Sequence, residues 1–99
     1  MRRVWYLPDF WSDVEVSRQW YDEQRPGLGA EFIAAVYDAI AKVVERPESY
    51  RAATRKTRRC IVSRFRHLLF FETAPEVILI LGVVHSSRNV RRWLQERKR

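Results

Sequence analysis

Apolar positions follow a helical period in the first half of this chain and a strand-like pattern in most of the second, and the change divides it. Residues 2–7 (Arg-Arg-Val-Trp-Tyr-Leu) are rich in β-forming side chains and stop at Pro8, which predicts a short strand. Phe10, Val14, Ser17 and Tyr21 then recur at spacings of four, three and four, with Trp20 beside them, as one face of a helix does. Pro8 suits a first turn and Ser12 with Glu15 matches a capping box, so this helix starts between Pro8 and Asp13. Arg25-Pro26-Gly27-Leu28-Gly29 breaks the pattern, Gly27 and Gly29 both allowing positive φ. A second stripe (Phe32, Val36, Ile40 and Val43, widened by Ile33 and Val44) begins near Ala30 and ends at Pro47, which steers its predecessor out of the helical region. So short a link predicts antiparallel neighbours, a helical hairpin.

Residues 48–58 read as irregular and basic, with Arg51, Arg55, Lys56 and Arg58. Arg59–Ser63 and His67–Glu72 are β-like runs separated by Arg64-Phe65-Arg66, a tripeptide without a strong turn signal. Thr73-Ala74-Pro75-Glu76 is a hairpin turn. Val77–His85 does not alternate, so it reads as a strand buried on both faces, and Gly82 within it marks a bulge or a close backbone approach. Ser86–Asn89 supply cap residues for a short helix, Val90–Arg97, with Trp93 and Leu94 on its inner side. The predicted order is β-α-α-β-β-β-α. That is one α+β domain over residues 1–99, a helical hairpin packed on a mostly antiparallel sheet, with the first strand beside one of the last three.

Composition narrows the class. At 99 residues, with 46% apolar and 13% aromatic side chains, the chain suits a folded globule rather than a disordered tail. Its longest apolar run, Val77–Val84, is far short of the roughly 20 residues that span a bilayer, and the N-terminus is unlike a signal peptide. One cysteine, Cys60, cannot form an internal disulfide; it reads as a small core residue, and a reducing cytoplasm fits. Charge is more telling. Of a net +7, residues 1–50 carry six basic against nine acidic side chains, or −3, and residues 51–99 carry thirteen against three, or +10. Such an imbalance gathers a polyanion without specifying which.

On several of these residues the sequence resembles the RelE/ParE superfamily of bacterial type II toxins. They are Trp20-Tyr21 near the end of the first helix, Arg25-Pro26-Gly27-Leu28-Gly29, Glu31-Phe32, Arg46-Pro47 and Arg64-Phe65-Arg66-His67-Leu68-Leu69-Phe70-Phe71. The most telling segment is Ile80–Asn89, in which a buried strand ends in His85, two residues then intervene before Arg88, and a helix bearing Trp93 follows. That arrangement is similar to the ParE branch. The resemblance implies a toxin silenced by a cognate antitoxin and acting on DNA gyrase by binding. It leaves open a RelE-like, ribosome-dependent mRNA endonuclease, and also a non-toxic member that only binds its antitoxin.

The two chemistries ask for different side chains. RNA cleavage needs a base for the ribose 2′-OH, cations for the phosphate and an acid for the leaving oxygen. His67, His85, Arg66 and Arg88 are the candidates for that work, histidine because it titrates near neutrality. Against it, the resemblance to RelE-like enzymes implies lysines on the sheet and, in many of them, a C-terminal tyrosine, whereas no tyrosine follows Tyr50 and after residue 50 the only lysines are Lys56 and Lys98. Each histidine also has a structural reading, as a packed ring or a tie between strands. Arg64, Arg66, Arg88, Arg91 and Arg92 are the candidates for holding a target, and arginine suits bidentate contacts to anions. No metal motif or phosphate loop is present, and no cofactor is implied. For the antitoxin, a surplus of aromatic side chains points to an apolar contact through Trp11, Val16 and Trp20 on the hairpin together with Trp93 and Leu94.

Overall fold

A computed structural model describes residues 2–97. Its elements follow the predicted order: β1 (Arg3–Tyr6), α1 (Pro8–Gln24), α2 (Leu28–Glu45), β2 (Thr57–Val62), β3 (His67–Ala74), β4 (Val77–His85) and α3 (Val90–Arg97), with one 3₁₀ turn at Pro47–Ser49. The four strands form one sheet in the order β1-β4-β3-β2. β2 and β3 are antiparallel, as are β3 and β4, and β1 lies parallel to β4 with Arg3 opposite Val77 and Tyr6 opposite Ile80. The first strand thus sits beside the last. No helix among the described residues is long and apolar enough to cross a membrane.

Both faces of the sheet are covered. The hairpin contributes Phe10, Val14, Tyr21, Phe32, Val36 and Val43 to a core that meets Cys60, Val62, Leu69, Phe71, Ile78, Ile80 and Val83. On the other face Phe70, Leu81 and Val84 pack with Trp93 and Leu94 of α3. Neighbouring side chains on a strand point to opposite faces, so in β4 Ile78 and Ile80 face the hairpin while Leu81 does not. The pairing then slips, with Phe71 opposite Ile80 but Phe70 opposite Gly82. Leu81 is the extra residue of a β-bulge, and beyond it Val83 rather than Val84 faces the hairpin.

Several boundaries differ from the sequence reading. The first helix starts at Pro8 with Leu7 at its N-cap, so Ser12 and Glu15 lie inside it and form no capping box. The second starts at Leu28 rather than near Ala30. Gly27 takes a positive φ of 89°, but Gly29 is helical; its value is closeness, since a Cβ there would stand 2.5 Å from the Arg18 carbonyl oxygen and 2.8 Å from the Asp22 carboxyl carbon. Asp22 accepts a hydrogen bond from the Gly29 N–H at 2.8 Å and so ties α1 to α2 at their crossing. The stretch after Pro47 is irregular as expected apart from the 3₁₀ turn and the onset of β2 at Thr57. Arg64-Phe65-Arg66 does turn, with Arg64 at a φ of 70°. A positive φ is uncommon for arginine, which is why the tripeptide carried no signal. Lys98, one of the two lysines noted above, lies outside the described residues.

A candidate docking site around Trp20

The C-terminal half of α1 lies beside the end of the sheet where β3 begins and β4 finishes. His67 and His85 are cross-strand partners there, their rings 5.2 Å apart and nearly perpendicular. Two hollows open on either side of Trp20 and share Trp20, Tyr21 and His85 as walls. One, of about 410 Å³, is rimmed by Arg25, Glu31, Arg64 and Arg66. The other, of about 360 Å³, is bounded by Val16, Ser17, His67, Ser87 and Arg88.

The two histidines differ in state. His67 is buried, with Nδ1 3.2 Å from the Tyr21 hydroxyl and Nε2 3.3 Å from Ser17 Oγ. A neutral imidazole offers one donor and one acceptor, and hydroxyls can play either part, so the ring is satisfied without a charge. Burial pushes its pKa down to about 4, and proximity to His85 adds to the shift. His67 is thus a structural histidine, not one that titrates near neutrality. His85 is half-buried; its Nδ1 accepts from the Ser87 N–H at 3.1 Å and lies 2.8 Å from Ser87 Oγ, which leaves Nε2 to carry the ring proton.

The five arginines offered for target binding do not share one face. Arg64, Arg66 and Arg88 surround Trp20, and Arg64 is held by Glu31 at 2.8 Å. Arg91 and Arg92 are on α3, across the sheet. Arg91 borders a separate hollow there, whereas Arg92 pairs with Glu96 at 3.3 Å along the helix. Among the described residues no carboxylate lies within ion-pair distance of Arg66, Arg88 or Arg91.

The five apolar residues offered for the antitoxin also divide. Trp20 is 54% exposed, and Val16 and Trp11 are exposed as well. At about 100° per residue Val16 and Trp20 point within about 40° of each other, while Trp11 points to the opposite side of the helix. There it packs 5.0 Å from the Tyr6 ring and 4.9 Å from Phe10. Trp93 and Leu94 are buried beneath α3, with Trp93 5.5 Å from Phe70 and the Arg97 guanidinium 4.4 Å above its ring. As the chain stands folded, they offer no surface continuous with Trp20. Their place on the inner side of an amphipathic helix, legible in the sequence, accounts for their burial.

A family model described as the ParE toxin of the type II toxin–antitoxin system parDE matches residues 4–90. The chain belongs to the ParE toxin family. Among solved structures, a chain of a chromosomal ParDE toxin–antitoxin system from P. aeruginosa superposes on it with a TM-score of 0.76, covering 86% of this chain and 96% of that one. The two are 11% identical, so this second likeness speaks for the ParE fold alone. No curated protein matches the sequence. In this ParE-family chain the signature segment Ile80–Asn89 contains the β4 bulge, His85 and Arg88, and so builds one wall of the Trp20 hollows.

Proposed function

We propose that this ParE-family toxin works in the cytoplasm, inhibits DNA gyrase by binding it, and is kept silent by a cognate antitoxin. Gyrase as target rests on the family; binding rather than RNA cleavage rests on the state of His67. Of the two histidines that could share proton transfers, one is buried, neutral and engaged by Ser17 and Tyr21. What remains at the surface is a half-exposed tryptophan among arginines, the make-up of a protein-docking surface. Arg64, Arg66 and Arg88 would meet the target at this end, with Arg91 and Arg92 outside the contact unless the target also reaches across the sheet. Val16 and Trp20 would meet the antitoxin, whose cover over the same hollows would exclude the target.

One observation favours the nuclease reading: His85 shares its surroundings with Arg66 and Arg88, a base beside two unpaired cations. A supercoiling assay with purified gyrase separates the readings. Inhibition by the chain, relieved by the product of the neighbouring antitoxin reading frame, is expected. Undisturbed gyrase, with codon-phased cuts in mRNA when the chain is expressed, would favour cleavage. Normal growth on expression without the antitoxin would favour a member that only binds its antitoxin.

A further inference from the structure

β1 forms one end of the sheet and leaves its outer side open. The Arg3 N–H donates to the Glu76 carbonyl at 2.8 Å and the Leu7 N–H to the Ile80 carbonyl at 3.0 Å, so the odd-numbered residues turn their backbone groups toward β4. Those of Val4 and Tyr6 therefore point away from the sheet. At the other end the segment leading into β2 folds back on its strand: the Arg59 N–H donates to the Arg51 carbonyl at 3.0 Å, and the Ala53 N–H to the Thr57 carbonyl at 2.7 Å. Open edges are ordinarily guarded by lysine, proline or a bulge in mid-strand. β1 carries an exposed tryptophan there instead.

Aromatic side chains flank this edge on both faces of the sheet. Val4 and Tyr6 pack toward the hairpin core, so Trp5 between them faces the α3 side, where it is 56% exposed. On the hairpin side Trp11 leans on the Tyr6 ring and is 50% exposed, and the exposed Tyr37 of α2 lies near the Tyr6 hydroxyl. Arg3 shares the face of Trp5, and no carboxylate lies within ion-pair distance of it among the described residues. Asp9, at the start of α1, is exposed, with the Arg97 guanidinium 3.8 Å away on the α3 side.

We propose that β1 joins two copies of this chain, pairing antiparallel with itself about a two-fold axis at Trp5 and extending the sheet across both. The match is built into the strand. Val4 and Tyr6 of one copy exchange backbone hydrogen bonds with Tyr6 and Val4 of the other, and the two Trp5 side chains meet in the closer, non-hydrogen-bonded pair between them. Arg3 then comes opposite Leu7 of the second copy, beside the acidic start of its α1 at Asp9, so charge complements charge twice over. The exposed parts of two Trp5 and two Trp11 side chains amount to on the order of 500 Å². That places the contact at the small end of specific interfaces, with a micromolar rather than nanomolar dissociation constant. An axis normal to the sheet sets both helical hairpins on one side, so the pair presents two Trp20 sites to a single target.

The test uses the full chain. Sedimentation of wild type from about 1 to about 300 µM should show a reversible monomer–dimer equilibrium. Trp5→Lys sets two like charges face to face on the axis and should weaken the dimer about tenfold or more. Ile61→Lys, at an exposed position on the outer strand β2, should leave the dissociation constant within about threefold of wild type. Unfolding midpoints verify that each variant folds. Register is read by disulfide capture, since Cα atoms in a non-hydrogen-bonded antiparallel pair stand about 4.5 Å apart, within disulfide reach. Under oxidised glutathione Trp5→Cys should give a linked dimer. Arg3→Cys, whose two copies stand at opposite ends of the paired strands, should not, and wild type, with Cys60 buried, is the blank. A chain that stays monomeric over the whole range would overturn the inference. So would a dimer that Ile61→Lys dissolves and Trp5→Lys does not, or equal capture in Arg3→Cys and Trp5→Cys.

Discussion

Asp13 on the first helix and Arg97 on the last meet in a two-pronged ion pair across the free edge of β4, Nη1 to Oδ2 at 2.8 Å and Nη2 to Oδ1 at 2.9 Å. β1 pairs with β4 only as far as Ile80, so the next backbone groups along that edge lack a strand. The ion pair replaces one: Asp13 accepts from the Val83 N–H at 3.2 Å, and Arg97 donates to the Leu81 carbonyl at 3.2 Å. Burial raises the Asp13 pKa more than Arg97 lowers it, the mark of a desolvated carboxylate that needs its partner.

Removing one member should cost more than removing both. Asp13→Ala leaves a largely buried guanidinium with only the Leu81 carbonyl and the Asp9 carboxylate, 3.8 Å away, and should lower stability by about 3 kcal/mol. In a double-mutant cycle with Arg97→Met, urea unfolding should give a coupling of about 2 kcal/mol. Simple additivity would mean that the pair does not act as a unit.

Gly82 makes that approach possible. Its φ is 154°, and a Cβ there would run into Asp13 Oδ2 and come within 2.7 Å of Arg97 Nη1. Gly82→Ala should therefore cost about 2 kcal/mol or more through backbone strain and displacement of the pair. A chemical-denaturation midpoint matching wild type would contradict this.

His67 gives stability a defined pH window. Its folded pKa is about 4, below the ordinary histidine value of about 6.5, so between these values the unfolded chain binds the extra proton. Stability from this residue is full above pH 6.5 and is lost as pH falls through 4, by about 2 kcal/mol once residual solvent screening is allowed for. In His67→Gln the slope of unfolding free energy against pH across that window should flatten. An unchanged slope would place the titration elsewhere.

Two tryptophans should behave in opposite ways. Trp20→Ala, at a half-exposed position, should change stability by under about 1 kcal/mol yet weaken antitoxin binding about tenfold or more. Trp93→Ala should cost about 3 kcal/mol or more, because it empties the core under α3. Thermal melts and binding isotherms on the two variants read both effects.

The helical hairpin and the order of elements were legible because their apolar stripes are long and unbroken, as in Phe32-Val36-Ile40-Val43. Features that depend on two distant segments were not. Nothing near Asp13 in sequence points to Arg97, and Arg51 and Arg59 look like scattered charges until the chain folds back on β2. Gly82 was a partial exception, since a glycine in a buried strand announces a bulge or a close contact, and here it marks both. Trp93 and Leu94 show the converse limit. Their helix periodicity gave the inward face correctly, while surplus aromatic content drew them into an expected surface contact although they are buried; the exposed rings are Trp20 and, on the far side of its helix, Trp11.

The parallel pairing of β1 with β4 has a consequence for synthesis. Arg3 leaves the ribosome well before its strand partner Val77 has been made. The hairpin can form early from local contacts, but the edge that β1 supplies must wait for the last strand. A toxin built this way cannot close its sheet until β4 has been made, and β1 waits for it across more than seventy residues.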